Sequence, residues 1–328
     1  MPSIVIVPGD GFGPSVMEVA ERTLDAVSGG IDIATARIGI SSYDACGQDV
    51  SVDTLDLLEG CSGVLCGPLV VRRDASGKVH DAMDTLRSHM DLYATLRNFR
   101  TFGDLGPEGV NVYLWSGITR QGRDTVEVRG VDGFTLSKYI RSSFYRRTID
   151  LAFSQMKVQD STRIACISKD DIFPDSSALF RQSFDEVFGK GGFETTHMNV
   201  TEWAESTIRQ PQRFDSIVCA DLYSDVAAGI LAGITGGNRL SPHCFMGDRG
   251  NLMVPSMIGD YEGIPDGYAN PTSAIMSVAM MLLFSGRLPG AKSVIEALGR
   301  TYGEGCRTPD VGGDMTTAEF AERFYRNL

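Results

Sequence analysis

The hydrophobic pattern at the start of the chain predicts a strand, a turn and a helix. Four apolar residues, Ile4 to Val7, are typical of a buried strand, and the segment Pro8 to Gly11 after them is suited to a turn. Pro14 can open a helix, because proline is favoured in a first helical turn. Apolar residues then recur at helical spacing, at Val16, Val19, Ala20 and Leu24. The chain therefore begins as a strand-turn-helix unit.

The same patterning continues as an alternation of apolar runs and amphipathic stretches. Runs that predict strands are Gly63 to Cys66, Val110 to Leu114, Arg163 to Ile167 and Ser216 to Cys219. Stretches that predict helices are Ser142 to Met156, Ser176 to Val187 and Pro271 to Phe284, the last of them apolar enough for a buried core helix. Strands that alternate with helices favour an α/β fold with a largely parallel sheet.

The sequence indicates domain boundaries less clearly than it indicates strands and helices. No repeat, low-complexity tract or linker rich in Pro, Gly and Ser divides the chain, so we expect any second domain to be an insertion. The segment Met246 to Asn270 is rich in Gly, Pro and Asp and lacks periodicity. It is therefore predicted to be a long surface loop, a kind of segment that often carries function.

Charge and cysteine content exclude several classes of protein. The formal net charge of -12 argues against a broad surface for nucleic acid or anionic membrane, because such surfaces need clustered Lys and Arg. Seven cysteines without a CxxC pair predict neither a disulfide framework nor a zinc site. This cysteine usage favours a reducing cytoplasm, and no leader or membrane span is expected. A local basic pocket for a small diacid stays compatible with the net charge.

Two separated motifs carry a resemblance to a known family. The segments Pro8 to Pro14 and Asp91 to Arg97, taken together, are similar to the start of the β-decarboxylating dehydrogenases that act on isocitrate, isopropylmalate, homoisocitrate and tartrate. The resemblance continues through Arg147 to Phe153, Arg213 to Asp215, Asp221 to Asp225 and Ala269 to Ile275, so it covers nearly the whole chain.

This resemblance implies a fold and an activity. The fold is the two-domain isocitrate/isopropylmalate dehydrogenase-like fold with a largely parallel central sheet. Residues 1–97 and 246–328 would form a large cofactor-side domain, and residues 98–245 a smaller central domain that carries the clasp of a homodimer. Such enzymes oxidise a 2-hydroxy acid with NAD or NADP, with Mg²⁺ or Mn²⁺ bound, and release CO₂. The metal acts as a Lewis acid.

The resemblance also assigns residues that contact the substrate. Arg87 and Arg97 match two arginines that bind substrate carboxylates, a role that suits guanidinium because two parallel N–H groups meet two carboxylate oxygens. Lys169 matches the catalytic lysine that one subunit lends to the active site of its partner for proton transfer.

Metal-binding positions are only partly retained. Asp225 matches a metal-binding aspartate, with Asp221 one helical turn before it. The family's next aspartate is Gly229 in this chain. The aspartate expected from the partner subunit falls at Thr201, where the adjacent Glu202 is a candidate replacement. Losing carboxylates should weaken Mg²⁺ binding, because the site's negative charge falls while the dehydration cost of the ion remains.

Other departures affect the acid and cofactor positions. The third substrate arginine aligns with Ser116 and the catalytic tyrosine with Arg123, while nearby Arg120 is a candidate substitute for the lost arginine. On the cofactor side Met257 replaces a histidine, whereas two predicted cofactor residues persist, Glu262 and Asn270. An acid at Glu262 favours NAD over NADP, because it can accept both ribose hydroxyl hydrogens and repels a 2′-phosphate.

Two functions stay open at this point. The first is an NAD-dependent, decarboxylating dehydrogenase of an unusual hydroxy di- or tricarboxylic acid. The second is a catalytically degenerate paralogue that acts as a ligand-binding or regulatory subunit or pairs with an active relative in a hetero-oligomer. The four histidines share no metal-like spacing, so we expect surface or structural roles for His80, His89, His197 and His243.

Overall fold

A computed structural model describes residues 3–74, 76–118, 125–255 and 265–328, and of Asp221 it describes the backbone alone. The positions Arg120, Arg123, Met257 and Glu262, which the sequence analysis singles out, lie outside the described residues. No helix within these ranges is both long enough and apolar enough to cross a membrane.

The strands alternate with the helices for most of the chain. They are β1 (Ile4–Val7), β2 (Ile33–Thr35), β3 (Gly63–Cys66), β4 (Arg72–Arg73), β5 (Val79–His80), β6 (Leu92–Arg100), β7 (Asn111–Gly117), β8 (Thr125–Arg129), β9 (Phe134–Lys138), β10 (Arg163–Ser168), β11 (Glu194–Asn199), β12 (Ser216–Cys219), β13 (His243–Gly247) and β14 (Gly250–Val254).

The helices are α1 (Gly13–Ser28), α2 (Ile40–Cys46), α3 (Val52–Glu59), α4 (Ala82–His89), α5 (Ser142–Met156), α6 (Pro174–Phe188), α7 (Val200–Arg209), α8 (Asp221–Thr235), α9 (Thr272–Phe284), α10 (Leu288–Gly303) and α11 (Thr317–Asn327). Short 3₁₀ helices lie at Pro211–Arg213, Asn238–Leu240 and Pro309–Val311. Most of the predicted strands and helices are confirmed, several of them at their predicted bounds.

The chain forms two compact units. The first contains residues 1–92, 96–111 and 231–328, and the second contains residues 93–95 and 112–230. Residues 98–111 and 231–245, which the sequence analysis expects in the smaller domain, thus belong to the first unit. One reason is packing, since the Phe102 ring stacks on the Tyr302 ring of α10 with 5.7 Å between centroids.

The first unit is built on a mixed sheet with the strand order β6-β13-β14-β3-β1-β2. The pairs β1–β2, β1–β3 and β14–β3 are parallel, and β13–β14 is antiparallel. Its main core lies where α1, α9, α10 and α11 meet, around Ile275, Leu298, Phe320 and Phe324. Every residue of α9 from Thr272 to Leu282 is buried, which confirms the predicted core helix.

The prediction of a loop from Met246 to Asn270 is wrong for part of that segment. Residues 250–254 form β14, whose Leu252, Met253 and Val254 are buried between β13 and β3. The apolar run is short, and the turn residues Gly247 and Gly250 beside it hide the strand signal. Residues 256–264 lie outside the described residues.

The second unit is built on four parallel strands in the order β11-β10-β12-β7. Arg163 at the start of β10 holds the segment before β12, since its Nη2 donates to Asp215 Oδ1 at 2.6 Å. The same unit carries β8 and β9, an antiparallel pair that forms a sheet of its own. The parallel strand pairs in each unit, alternating with helices along the chain, confirm the α/β fold with a largely parallel sheet.

The glycine-rich turn after β1 is fixed by one buried carboxylate. Asp10 Oδ1 accepts from the backbone N of Ile40, and Asp10 Oδ2 accepts from the backbone N of Val70, both at 2.9 Å. Gly9 adopts a φ of +81°, and a Cβ there would lie 2.6 Å from the carbonyl oxygen of Pro68. Close backbone approach therefore requires glycine at position 9.

A histidine between two carboxylates ties β5 to the loops beside it. His80 is 6% exposed. Its Nδ1 lies 2.6 Å from Asp49 Oδ2 and its Nε2 lies 3.1 Å from Asp74 Oδ2. Arg72 Nη2 donates to Asp49 Oδ1 at 2.9 Å. The hydrogen bonds to Asp74 and then Asp49 raise the pKa of His80, so its charged form stabilises this network. The structural role expected for His80 agrees with this arrangement.

We predict a pH-dependent loss of stability that depends on His80. Its raised folded-state pKa gives a contribution that is complete below the unfolded value of about 6.5 and is lost as pH rises through the folded value. The free energy of unfolding of the wild type should therefore fall across that window, and in His80→Gln this component should be absent. Urea denaturation at several pH values measures it. The exposed His197→Gln variant is the control and should keep the wild-type slope; an unchanged slope in His80→Gln would contradict the assignment.

Candidate functional site

Two of the predicted substrate residues lie in one positively charged region of the first unit. Arg97 is on β6 and only 4% exposed, and its Nη2 donates to Asn238 Oδ1 at 2.8 Å. Arg87 is in the last turn of α4, with its guanidinium carbon 5.1 Å from the centre of the Phe245 ring. We call Arg87, Arg97, His243 and Phe245 the arginine cluster.

The lowered pKa of His243 reflects burial and the positive charge of this cluster. It lies on β13, which neighbours β6 in the sheet, and its ring stacks on that of Phe245 with 4.3 Å between centroids. Burial, then Arg97, then Arg87 lower the pKa of His243 well below its ordinary value. Its imidazole is therefore neutral at pH 7, because burial and then both guanidinium groups oppose a positive charge on the ring. The region is suited to an anionic ligand.

The predicted catalytic lysine lies in the second unit, just after β10. The Lys169 side chain is 14% exposed, and its Nζ donates to Asp171 Oδ2 at 2.7 Å. Asn199 Nδ2 donates to the other oxygen of the same carboxylate at 2.9 Å. These two hydrogen bonds, that of Lys169 first, lower the pKa of Asp171. Lys169 is thus held by an ionised carboxylate that the sequence analysis did not single out.

Asn199 connects this lysine to Glu202, a predicted metal ligand. Asn199 is the N-cap of α7, and its Oδ1 accepts from the backbone N of Thr201 at 3.2 Å and from the Thr201 hydroxyl at 2.9 Å. Glu202 Oε2 accepts from the backbone N of Asn199 at 3.4 Å, which completes a capping box. In this chain the carboxylate of Glu202 and the hydroxyl of Thr201 therefore stabilise the start of a helix.

The remaining predicted metal positions lie on α8. Asp225 is exposed one turn into the helix, Asp221 is the first helical residue, and Gly229 is exposed one turn after Asp225. A Cβ at Gly229 would meet no atom within 4 Å. Tyr223 lies nearby, and burial, followed by the charge of Asp171, raises its pKa, so its phenol keeps its proton at neutral pH.

Within one chain these residues do not fit a metal ion. Over the described part of the chain, no group of three or more His, Cys, Asp or Glu side chains could hold one. Of the donors that the resemblance assigns, one is absent, at Gly229, and Glu202 is already used by the α7 cap, which leaves the two α8 positions Asp221 and Asp225.

Asn270, the second predicted cofactor residue, is a buried structural group. Its Oδ1 accepts from the backbone N of Thr272 at 2.9 Å, at the start of α9. Its Nδ2 lies 3.4 Å from the Tyr302 hydroxyl and 3.2 Å from Asp310 Oδ2. The side chain joins α9 to α10 and the 3₁₀ helix at Pro309–Val311. A contact with a cofactor stays a prediction, as it does for Glu262 outside the described residues.

A small buried side chain, Ser116, occupies the position of the third substrate arginine that the resemblance assigns. Ser116 on β7 lies 2.8 Å from Thr95, hydroxyl to hydroxyl. This hydrogen bond joins Thr95 of β6 to Ser116 of β7 without a charge. Ser116 is only 4% exposed and therefore has a structural role here.

Sequence reasoning missed His243 and Asp171. A histidine or aspartate alone on a strand or in a turn gives no signal of its environment. The pKa of His243 depends on burial and on two arginines distant in sequence, and that of Asp171 depends on Lys169 and on the distant Asn199. For Asp171 the one available signal is its place two residues after Lys169 at the end of a predicted strand.

Comparisons with known proteins give a consistent result. Residues 3–324 match the family described as Isocitrate/isopropylmalate dehydrogenase. A 3-isopropylmalate dehydrogenase of Methanothermobacter thermautotrophicus is 27% identical over 330 residues, which is 99% of this chain and 98% of the relative. An isocitrate/homoisocitrate dehydrogenase of Thermus thermophilus is 29% identical over 334 residues, which is 99% of this chain and 98% of the relative.

Solved structures agree with the sequence comparison. The apo form of a β-decarboxylating dehydrogenase from Thermococcus kodakarensis has a TM-score of 0.87 to this chain at 25% identity. The similarity covers 100% of this chain and 96% of that one.

The surface of α8 allows a direct test of the altered metal position. We predict that Gly229→Asp tightens Mg²⁺ binding at least tenfold, because a second carboxylate one turn from Asp225 adds a hard oxygen ligand. Calorimetric titration with MgCl₂ measures the change. Gly233→Asp is the matched control, since it is also exposed on α8 with open space around its Cβ, and lies about 12 Å from Asp225 along the axis. Equal Mg²⁺ affinity in both variants would contradict the assignment of Asp225.

Proposed function

The chain belongs to the isocitrate/isopropylmalate dehydrogenase family, and we propose that it is an NAD-dependent, decarboxylating dehydrogenase of a 2-hydroxy di- or tricarboxylic acid. The observation that carries the proposal is the arginine cluster, where the buried Arg97 and the half-buried Arg87 lie near His243 and Phe245 and, after burial, lower the pKa of His243. Such a positive potential favours a ligand with at least two carboxylates over a monocarboxylic acid.

In this proposal Arg87 and Arg97 orient the acid by its carboxylates. The Asn238 amide and the Phe99 ring, whose centre is 5.0 Å from the guanidinium carbon of Arg97, restrict the rotamers of that side chain. A pre-positioned guanidinium loses little conformational entropy when it binds a carboxylate. Bound nicotinamide would accept the hydride from the hydroxyl-bearing carbon, and Glu262 supports NAD over NADP.

Lys169 is the residue we propose for proton transfer. Its Nζ donates to the ionised Asp171 at 2.7 Å, so the amino group is held in one place, from which it would pass a proton to or from the substrate. Asp171 and Asn199 are then positioning residues, because they hold the amino group through hydrogen bonds.

We also propose that the protein is a homodimer and that the hairpin β8–β9 contacts the partner subunit. The hairpin is a two-stranded sheet with apolar side chains in solvent; Phe134 is 62% exposed and Leu136 is 77% exposed. Isolated two-stranded hairpins are marginally stable in water, so a covering surface would stabilise this one. Sedimentation equilibrium should give twice the mass of the chain, and Leu136→Asp should shift the mass toward that of a monomer; a monomeric wild type would contradict the proposal.

A cytoplasmic location belongs to the same proposal. The seven cysteines are free thiols, six of them buried. Reduced thiols are typical of a reducing compartment.

Binding measurements test the substrate class. We predict that calorimetry will detect binding of one or more of malate, isopropylmalate, isocitrate and homoisocitrate, and that NAD will strengthen it more than NADP. Arg97→Lys should lower the affinity for the acid by about tenfold to a hundredfold, because an ammonium cannot reproduce the two parallel hydrogen bonds of guanidinium.

The matched control for this variant is Arg22→Lys, at an exposed arginine paired with Glu322. Its acid affinity should equal that of the wild type. Failure of every acid to bind, with and without either nicotinamide, would contradict the proposal, as would equal affinities in Arg97→Lys and the wild type.

A further inference from the structure

Strand β13 places His243 in the arginine cluster. Side chains alternate along β13, so His243 and Phe245 share one face, and their rings stack at an angle of 28°. Arg87 lies over the same Phe245 ring. The aromatic side chain thus holds the imidazole and one guanidinium in a fixed relation.

The ring nitrogens of His243 are available to a ligand. Across residues 3–74, 76–118, 125–255 and 265–328, no hydrogen bond joins either nitrogen to another group. The histidine is half-buried, so a ligand could reach it. A neutral imidazole offers one donor and one acceptor, whereas the protonated ring offers two donors. An anion would favour the protonated form.

Within the described ranges, the charges that act on His243 come from two elements. Arg97 approaches from β6 and Arg87 from α4, and both act against protonation, as does burial. A bound acid with two or more carboxylates would offset both guanidinium charges and add negative charge beside the ring. This negative charge would raise the pKa of His243 against the effect of burial.

We propose that His243 is a third anion-binding group of the arginine cluster and takes up one proton from the buffer when a hydroxy polycarboxylic acid binds. The imidazole nitrogen gains the proton and donates it in a hydrogen bond to a carboxylate oxygen, and no covalent bond to the ligand forms. This inference rests on the proposed function, since it takes the ligand to be such an acid. It adds a residue and a pH dependence that the proposed function does not contain.

The test is the number of protons taken up on binding. The acid that binds most tightly from the panel of malate, isopropylmalate, isocitrate and homoisocitrate is titrated calorimetrically at one pH in PIPES and in bis-Tris, whose ionisation enthalpies differ. The wild type should take up close to one proton near neutral pH, and its affinity should fall as pH rises. His243→Gln should bind about tenfold more weakly, because a charge-assisted hydrogen bond is lost, and should take up almost no proton. His197→Gln, at an exposed histidine, should behave as the wild type.

A second measurement separates this inference from the proposed function. Nuclear magnetic resonance follows the four histidine rings in the wild type, with the His243 signal assigned by its absence in His243→Gln. Sulfate, a dianion, should move the titration midpoint of His243 to higher pH. If an acid binds and depends on Arg97 while proton uptake is the same with and without His243, the inference is overturned and the proposed function stands. If no acid binds, the proposed function fails, and a His243 midpoint unmoved by sulfate then overturns the inference as well.

Discussion

The removal of a guanidinium from water is the constraint on which the proposed site depends. Arg97 keeps its charge at any physiological pH, and placing a charge in a low-dielectric environment costs several kcal/mol unless nearby groups compensate. In the first unit Arg97 donates a hydrogen bond to the Asn238 amide oxygen and lies over the Phe99 ring. The nearby His243 adds no positive charge, because its pKa is lowered. Positive charge is concentrated here and the surrounding side chains are held in place. A site of this kind is pre-organised to bind an anion.

The second unit uses its polar groups differently. Lys169, Asp171, Asn199 and Glu202 form a continuous set of hydrogen bonds that closes at the N-terminus of α7. The groups proposed for proton transfer therefore share partners with groups that cap a helix. Substituting Asn199 would disturb both, so a loss of activity in such a variant would not by itself separate positioning from folding. The position of Glu202 in the capping box also limits its use as a metal ligand.

Much of the fold could be predicted because the strands of a parallel sheet are buried on both faces and leave continuous apolar runs in the sequence. Predictions for β1, β3, β12 and α5 match the structure at their bounds. Strand β14 was missed because its apolar run is short and flanked by turn residues. The arginine positions could be predicted from the resemblance, since their motifs are local. The lowered pKa of His243 could not, because it arises from burial in the folded unit and then from Arg97 and Arg87 on other elements.

The central claim is that the retained arginines and lysine perform a dehydrogenase reaction although the metal and tyrosine positions have changed. The direct measurement is the reduction of NAD by the purified wild type and Lys169→Ala with each acid of the panel, with CO₂ release followed in parallel. The account predicts that at least one acid reduces NAD in the wild type, and that Lys169→Ala binds that acid but turns it over at least a hundredfold more slowly. A wild type that reduces neither NAD nor NADP with any acid, or a Lys169→Ala variant with full activity, would contradict it.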